Sequence, residues 1–337
     1  MRRLILTTEE YGPHLLTKAS RADVAVPFSF RFVWGSLPSE AELKTLLEAR
    51  STKHSSEGSH WLDFTPDWRR EEIEGKDLGL IDFCERFETI ELWANPDSNS
   101  QLTLVWLLDT LRHHAKIVAK LALVQANVRI AHREPEEIAR WRLPAVKIRN
   151  EHLETASAAW RAYRSATPQD WFKLLDTDLS VLPQLRPSVL ELLEELPMDA
   201  TGLGATEMQM LEIMTSFKIP PKVVPYDVFS GPQGHNKRNV FEYWEIGSLL
   251  DGLARCPAPA VSGLDEGPFT LEMHDDRRRH ARYKRSKLKL TPLGKAILSR
   301  TDDFSRHNPI HRWWGGTELT NDRLWRWDPV HRELIAP

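Results

Sequence analysis

The sequence predicts an α/β domain with a Rossmann-like parallel sheet, an all-helical segment and a winged-helix-like C-terminal module. Two β-α-β patterns lie before residue 130, and such patterns favour a parallel sheet. Apolar residues then recur at helical spacing. The last part places two helices before two strands that flank a basic segment. We expect domains at residues 1–134, 135–198 and 199–303, with a Trp-, Gly- and Arg-rich tail at 304–337 that packs on the body.

The composition indicates a chain that can bury a core. Its 337 residues are 41% hydrophobic and 28% charged. The net charge of −3 argues against indiscriminate coating of nucleic acid, because non-specific affinity comes from many neutralised phosphates. Two cysteines, Cys84 and Cys256, are too few for a disulfide scaffold. Without a signal-peptide or membrane-spanning apolar run, the sequence predicts a cytoplasmic protein with no membrane partner.

Two β-α-β patterns predict the sheet. Each consists of a short apolar run, a segment with helical periodicity and a second apolar run. A right-handed crossover is the default connection for such a unit. The predicted strands are residues 4–6, 24–26, 89–93 and 120–125, and the predicted helices between them are residues 11–19 and 102–113.

The segment between the two patterns contains a helix and a loop. Ser39 and Glu42 match a capping box, which predicts a helix from Ser39 to about Lys53. The stretch from His54 to Gly75 is polar and contains a proline, so it predicts a loop of low intrinsic order.

The remaining pattern is mainly helical. From residue 135 to 197 apolar residues lie on helix faces, and no strand is required there. A turn-rich boundary then begins the C-terminal module, in which the order helix, helix and basic hairpin is that of a winged helix. Its predicted helices are residues 206–217 and 240–255, and its predicted strands are residues 268–273 and 287–290 with a charged loop between them.

Short motifs over nearly the whole chain carry a family resemblance. They include Glu91-Leu92-Trp93, Ala159-Trp160-Arg161-Ala162-Tyr163, Leu290-Thr291-Pro292-Leu293-Gly294 and Trp325-Arg326-Trp327-Asp328. Through them the chain resembles an uncharacterised bacterial family, the domain of unknown function 1835. The family has no assigned activity, so the resemblance implies no catalytic residue. Its members share a Gly-Asp turn after the first strand and acidic residues after the second, where this chain has Thr7-Thr8-Glu9 and Ser29-Phe30.

The carboxyl ends of the predicted strands are the first candidate site. Ligands of open parallel sheets bind there, near helix N-termini that favour anions. Hydroxyls follow the first strand, although Glu9 and Glu10 would repel an anion, and uncharged donors follow Trp93. The alternative is that Asp97 or Ser98 only caps a helix. The candidates for binding a small anionic ligand at this edge are Thr7, Thr8, Asn95, Ser98, Asn99 and Gln101.

The tail supplies two further ligand-binding candidates. Arg312 and Trp313 lie in a segment rich in Trp and Gly. Aromatic rings and guanidinium groups bind flat or anionic ligands. The alternative is that the aromatic side chains of the tail pack onto the body.

The strongest functional signal is a basic segment. Ten Lys or Arg lie between His274 and Arg300 against Asp275 and Asp276, an excess of eight positive charges. On a wing they would lie along a phosphate backbone, with Tyr283 able to stack or hydrogen-bond. The alternative is a solvated hairpin tip that pairs with the acidic stretch 191–212. The nucleic-acid-binding candidates are Arg277, Arg278, Arg279, Arg282, Lys284, Arg285, Lys287 and Lys289.

No metal or cofactor is predicted. His54, Glu57 and His60 have the side chains of metal ligands, but their spacing matches no zinc pattern, and a solvated loop is the simpler interpretation. The sequence contains no H-E-x-x-H, G-x-S-x-G, Walker A or G-x-G-x-x-G motif. Direct support for the familiar hydrolase, kinase and dinucleotide-binding classes is therefore missing.

Three hypotheses of function follow. The first is a binding or regulatory protein with a small anionic-ligand crevice in the α/β domain and a basic wing that contacts nucleic acid or an acidic partner. The second is an enzyme that acts on a nucleotide or phosphate ester, with Glu9, Asp97, Gln101, His307 or Arg312 as site members. The third is a protein-docking module.

Overall fold

The computed structural model describes residues 2–9, 12–56, 58–125, 127–130, 133–216, 223–231 and 234–337. The chain forms two compact units. The first comprises Met1–Phe32, Leu37–Ser165 and Lys173–Ser188, and the second comprises Val33–Ser36, Ala166–Phe172 and Val189–Pro337. Within the described ranges, no helix is long and apolar enough to cross a membrane. Across the same ranges, no three His, Cys, Asp or Glu side chains are grouped so that they could hold a metal ion.

Strands and helices alternate in the N-terminal part, and helices dominate the centre of the chain. The strands are β1 (Arg3–Thr7), β2 (Val24–Pro27), β3 (Thr89–Ala94), β4 (Leu121–Gln125), β5 (Val146–Lys147), β6 (Val261–Ser262), β7 (Lys289–Leu290), β8 (His311–Trp314), β9 (Thr317–Thr320), β10 (Arg326–Asp328) and β11 (Glu333–Ile335). The helices are α1 (Gly12–Lys18), α2 (Glu40–Leu47), α3 (Asp67–Arg70), α4 (Leu80–Glu85), α5 (Ser98–Leu111), α6 (Ala115–Val118), α7 (Pro135–Arg140), α8 (Asn150–Tyr163), α9 (Gln169–Lys173), α10 (Leu185–Leu193), α11 (Ala205–Ile213), α12 (Tyr243–Ala254), α13 (Leu271–Asp275), α14 (Arg277–Arg285) and α15 (Pro292–Leu298).

A five-stranded sheet is the centre of the first unit. Its order is β2-β1-β3-β4-β5, in which the first four strands are parallel and β5 is antiparallel to β4. The prediction of a mixed α/β fold with a mostly parallel sheet is confirmed. The prediction that residues 135–197 contain no strand is wrong at β5. A two-residue strand has no alternation of its own to indicate it, and β5 is formed by pairing with β4.

One face of this sheet carries an apolar cluster. Ile5, Ala25, Trp93 and Val124 come from four neighbouring strands and cluster with Leu16 of α1. The register places Ile5 opposite Ala25, so the two side chains point to the same face. Because the four strands run parallel, their carboxyl ends lie together at one edge.

The stretch from 54 to 75 is more ordered than its sequence predicts. Trp61 and Leu62 are fully buried within a 3-10 helix. Asp63 lies at 2.6 Å from a guanidinium nitrogen of Arg50 and at 3.2 Å from one of Arg70. The loop prediction is wrong because two apolar side chains and a buried carboxylate organise the segment, and local polarity does not reveal either effect.

The histidines of this stretch are also buried. Only 8% of His54 and none of His60 is exposed, so the interpretation of both as parts of a solvated loop is wrong. His54 Nδ1 accepts a hydrogen bond from the backbone N–H of Ser51 at 3.0 Å. Glu57 of the same motif lies outside the described residues. The two histidines are therefore structural side chains, and each has a packing partner in the fold.

The C-terminal unit contains helices and small antiparallel sheets. The predicted helices around α11 and α12 are confirmed, whereas the strand predicted at 268–273 is wrong, because Thr270 caps α13 in that place. The prediction of a charged loop after it is also wrong, because Asp276 caps α14 there. β6 and β7 pair antiparallel. Because Thr270 and Asp276 cap helices, this segment is helical and does not form the predicted hairpin.

The tail packs onto the body of the second unit, as expected. The indole N–H of Trp314 donates to the Leu192 carbonyl at 2.8 Å. Trp327 is almost fully buried, and its backbone bonds to that of Asp199 and Pro197. β8 pairs with β9 and β10 pairs with β11, both antiparallel. The aromatic residues of the tail thus contribute mainly to packing.

The buried His60 generates a prediction of pH dependence. Burial, together with the nearby Arg50, lowers the pKa of His60 to about 4. The unfolded chain takes up a proton near the ordinary histidine pKa of about 6.5, whereas the folded chain does not. Folding stability should therefore fall as the pH drops from about 6.5 to 4, by about 2–3 kcal/mol from this group.

Urea denaturation of the wild type and of His60→Gln at pH 7 and pH 4.5 measures this contribution. The loss of unfolding free energy between the two pH values should be smaller in His60→Gln by about 2 kcal/mol. His113→Gln changes an exposed histidine and serves as the matched control, which should retain the wild-type loss. An equal loss in all three proteins would refute the assignment.

Candidate functional site

The carboxyl ends of β1 and β3 are joined by side chains. The Asn95 backbone N–H donates to Thr8 Oγ1 at 3.2 Å, and Asn95 Nδ2 donates to Glu9 Oε2 at 2.8 Å. The same Glu9 oxygen accepts from the Ile130 N–H at 2.9 Å. A carboxylate thus occupies the centre of this edge and disfavours an anion beside it.

A cluster of uncharged amides lies next to it. Gln101 Nε2 donates to the Asn95 carbonyl at 2.6 Å and to Gln184 Oε1 at 3.1 Å. Gln125 Nε2 approaches Gln101 Oε1 at 3.3 Å and Gln184 Oε1 at 3.4 Å. The amide of Gln184 also donates to Asn127 Oδ1 at 3.4 Å. These amides satisfy one another, so this part of the predicted crevice is filled with protein side chains.

Sequence reasoning missed two members of this cluster. Gln125 gave a weak signal, because it ends the otherwise apolar strand β4. Gln184 gave none, because it lies 83 positions from Gln101 in the chain and only the fold brings the two together.

The start of α5 serves mainly to hold the unit together. Asp97 accepts from the Ser100 N–H at 3.0 Å and from its hydroxyl at 2.8 Å, so the capping alternative is correct for Asp97. Asn99 Nδ2 donates to the Phe30 carbonyl at 2.6 Å, and Asn99 Oδ1 accepts from the Phe32 N–H at 2.9 Å. Asn99 therefore clamps a neighbouring loop.

Three polar atoms at this edge are buried and have no hydrogen-bond partner in the part of the chain that the structure describes. They are Thr7 Oγ1, Asn95 Oδ1 and Ser29 Oγ, which follow or end the adjacent strands β1, β3 and β2. Ser98 is also fully buried at this edge. Unpaired buried polar atoms are uncommon and cost free energy unless a water or ligand pairs with them. These atoms, rather than the helix start, are the signal for a ligand in the first unit.

The two tail candidates belong to the second unit. The Arg312 guanidinium donates to both carboxylate oxygens of Glu207, at 2.9 and 3.2 Å. This two-pronged ion pair commits Arg312 to the interior of its unit. Trp313 is 36% exposed on β8. The structure thus gives Arg312 a structural role and leaves Trp313 partly at the surface.

The basic segment forms a cationic face on one helix and the following strand. α14 has its exposed cations on one side, and Lys287 and Lys289 continue outward on alternate positions, with Leu288 buried between them. Among the described residues, the side chains of this face have no ion-pair partner. We use the name cationic face for Arg277, Arg278, Lys284, Arg285, Lys287 and Lys289.

Two of the predicted nucleic-acid contacts pair with a buried carboxylate, although 67% of the Arg282 side chain stays exposed. Arg279 and Arg282 approach Glu266 at 3.1 and 2.8 Å, and the Glu266 side chain is only 9% exposed. The alternative, in which the basic segment pairs with the acidic stretch 191–212, is wrong for these two arginines, because they pair with Glu266.

The expectation that Tyr283 stacks on a ligand is also wrong. Tyr283 is fully buried, and its ring packs against Phe269 with centroids 4.9 Å apart. It lies on the side of α14 opposite the cationic face, and it anchors the helix to the body.

No protein-family model and no curated protein matches this chain. The resemblance to the domain of unknown function 1835 stays a prediction. What the chain does must therefore be argued from its own geometry.

Adjacent threonines provide a test of the buried unpaired hydroxyl. Thr7→Val removes a hydroxyl that has no partner among the described residues and should raise the free energy of unfolding by about 1 kcal/mol. Thr8→Val removes the acceptor of the Asn95 N–H and should lower it by about 1 kcal/mol. Urea denaturation measures both, and each variant is the control for the other. Equal destabilisation by the two changes would show that Thr7 is paired in solution.

Proposed function

We propose that this protein binds nucleic acid through the cationic face. The observation that carries the proposal is the group of exposed cations on α14 and β7 that have no ion-pair partner within the described residues. A nine-residue helix is about 13.5 Å long, and a nucleic acid strand presents a phosphate about every 3.4 Å along a duplex. Several phosphates can therefore meet the face at once.

The face is rigidly mounted. Asp276 accepts from the backbone N–H groups of Arg278 and Arg279 at 2.8 and 3.1 Å. Glu266 holds the opposite side of α14, and Tyr283 packs beneath it. Pre-organised cations lose less conformational entropy on binding than cations on a mobile loop.

We infer a winged-helix-like order in which α14 takes the place of the wing, with a helix where the hairpin was predicted. In the order α11, α12, β6, β7, the helices α13 and α14 stand between the two strands, where a wing would lie. Glu242 precedes α12 as its N-cap, and Glu245 and Asp251 lie on the helix, which argues against base reading by α12. We infer that contacts are made mainly to the phosphate backbone, with little sequence preference.

A charge-removal variant tests the proposal. Arg277→Gln, Arg278→Gln and Arg285→Gln together should weaken binding of a labelled oligonucleotide about 10- to 100-fold at about 0.1 M salt. The slope of log affinity against log salt should fall by about two to three, because each lost phosphate contact releases one counterion fewer. Fluorescence anisotropy over a salt series measures both quantities.

The matched control removes the same charge elsewhere. Lys116→Gln, Arg140→Gln and Lys147→Gln change three exposed cations of the first unit and should leave binding unaltered within about twofold. Polyglutamate of equal charge provides the second arm. If polyglutamate binds as tightly as the oligonucleotide, the partner is an acidic protein and not nucleic acid. If the two triple variants weaken binding equally, the proposal is overturned.

A second function is favoured at the sheet edge of the first unit. Among the described residues, Thr7 Oγ1 and Asn95 Oδ1 have no hydrogen-bond partner, and Asn95 Nδ2 donates to the Glu9 carboxylate, so this edge is rich in acceptors. We propose a small ligand that carries N–H or O–H donors, in place of the anion that the sequence predicts. Such a ligand should bind Thr7→Val more weakly than the wild type, whereas an anion would bind neither.

A further inference from the structure

An aromatic cavity of about 400 Å³ lies in the second unit. Three of its lining residues are aromatic and the others are small, polar or cationic. The cavity is lined by Tyr226, Phe229, Ser230, Gly234, Tyr243, His280 and Lys284. It therefore combines flat apolar surfaces with hydrogen-bonding groups.

The polar groups of the cavity converge at one hydroxyl. Tyr226 Oη lies 2.5 Å from Tyr243 Oη and 2.8 Å from His280 Nε2. Burial, followed by the charges of His274 and Lys284, lowers the pKa of His280. The imidazole is therefore neutral at pH 7 and can donate or accept a hydrogen bond. The two tyrosine rings are nearly parallel, at 18° with centroids 5.9 Å apart.

The cavity borders the cationic face. His280 and Lys284 are one turn apart on α14, and Lys284 belongs to both the cavity and the face. At the start of α12, Tyr243 and Trp244 are 39% and 40% exposed, which is unusual for large aromatic side chains. Their rings meet edge to face with centroids 5.2 Å apart. An aromatic surface and a row of cations are thus continuous.

We propose that this cavity takes an unstacked base of single-stranded nucleic acid while the cationic face holds the adjoining phosphates. This inference rests on the proposed function. Single-strand binding proteins combine a basic track with aromatic rings on which bases stack. The tyrosine hydroxyls, the imidazole and Ser230 can form hydrogen bonds with the polar edge of a base. An aliphatic helix of a partner protein in the same cavity would leave these groups unpaired.

The preferred ligand is therefore a single strand. A duplex keeps its bases paired and stacked, so entry of one base into the cavity would first cost unstacking. A duplex can therefore contact only the cationic face. A single strand can contact both the cationic face and the cavity.

The experiment compares three oligonucleotides of equal length by anisotropy: a single strand, its duplex and a single strand in which every base is abasic. The wild type should bind the single strand about tenfold more tightly than either of the others. The abasic strand keeps every phosphate, so it isolates the contribution of the bases without any change to the protein.

Two variants of Tyr243 test whether this cavity causes the preference for a single strand. Tyr243→Ala should weaken single-strand binding about tenfold with an unchanged salt slope, because it removes a ring and no charge. Tyr243→Phe keeps the ring and should stay within about threefold of the wild type. Thermal unfolding of both variants checks that they fold.

The outcomes separate the two proposals. Equal binding of the normal, abasic and duplex oligonucleotides would overturn the base-binding cavity and leave the cationic face intact. Failure to bind any of the three would overturn the proposed function itself, and the inference with it. A single-strand preference that persists in a folded Tyr243→Ala protein would also overturn the assignment to this cavity.

Discussion

The Glu266 carboxylate decides what α14 can do. The backbone N–H of Gly267, with help from Arg279 and Arg282, holds the pKa of this carboxyl below its ordinary value. Glu266 is therefore ionised at neutral pH and keeps both guanidinium groups at its side. Arg279 and Arg282 are thus paired with Glu266, while the other arginines and the lysine of α14 project outward without an ion-pair partner among the described residues. The same interaction fixes the helix and sets the composition of its exposed side.

Buried polar groups are satisfied by two different means in this protein. At the sheet edge of the first unit, amides bond to one another, and their cluster carries no charge. Other sites bury ion pairs, at Asp63 in the first unit and at Glu195 in the second. Glu195 accepts from Arg238 at 2.8 Å and from the Thr206 hydroxyl at 2.8 Å, and burial raises the pKa of Glu195 while Arg238 opposes that rise. Removal of either partner would leave an uncompensated buried charge, so the pair fixes one geometry more strictly than amides do.

The sequence was informative where a structure depends on neighbouring residues. The four parallel strands follow from short apolar runs, and the Ser39 capping box is present as expected, with the Ser39 N–H donating to Glu42 at 2.7 Å. It was misleading at 268–285. Apolar Phe269 and Leu271 suggested a strand, but Thr270 and Asp276 begin helices there. Both residues are good caps, so the competing signal was present and was outweighed.

Other features could not be predicted, because they depend on residues distant in the chain. The approach of Gln184 to Gln101, the burial of Tyr283 and the pairing of Glu266 with α14 are products of tertiary packing. The sheet edge illustrates the point. The position of this edge follows from the strand order. Which of its polar atoms lack a partner among the described residues depends on which side chains the tertiary fold brings within hydrogen-bond distance.

The alternation after α14 limits how this region can change. Lys287 and Lys289 face outward while Leu288 is buried, and this arrangement depends on the distance in residues from the end of the helix. A single inserted residue would turn both ammonium groups inward and bring the leucine to the surface. The connection between α14 and β7 therefore tolerates a change of residue type more easily than a change of length. The cationic face depends on the spacing of its residues as well as on their charge.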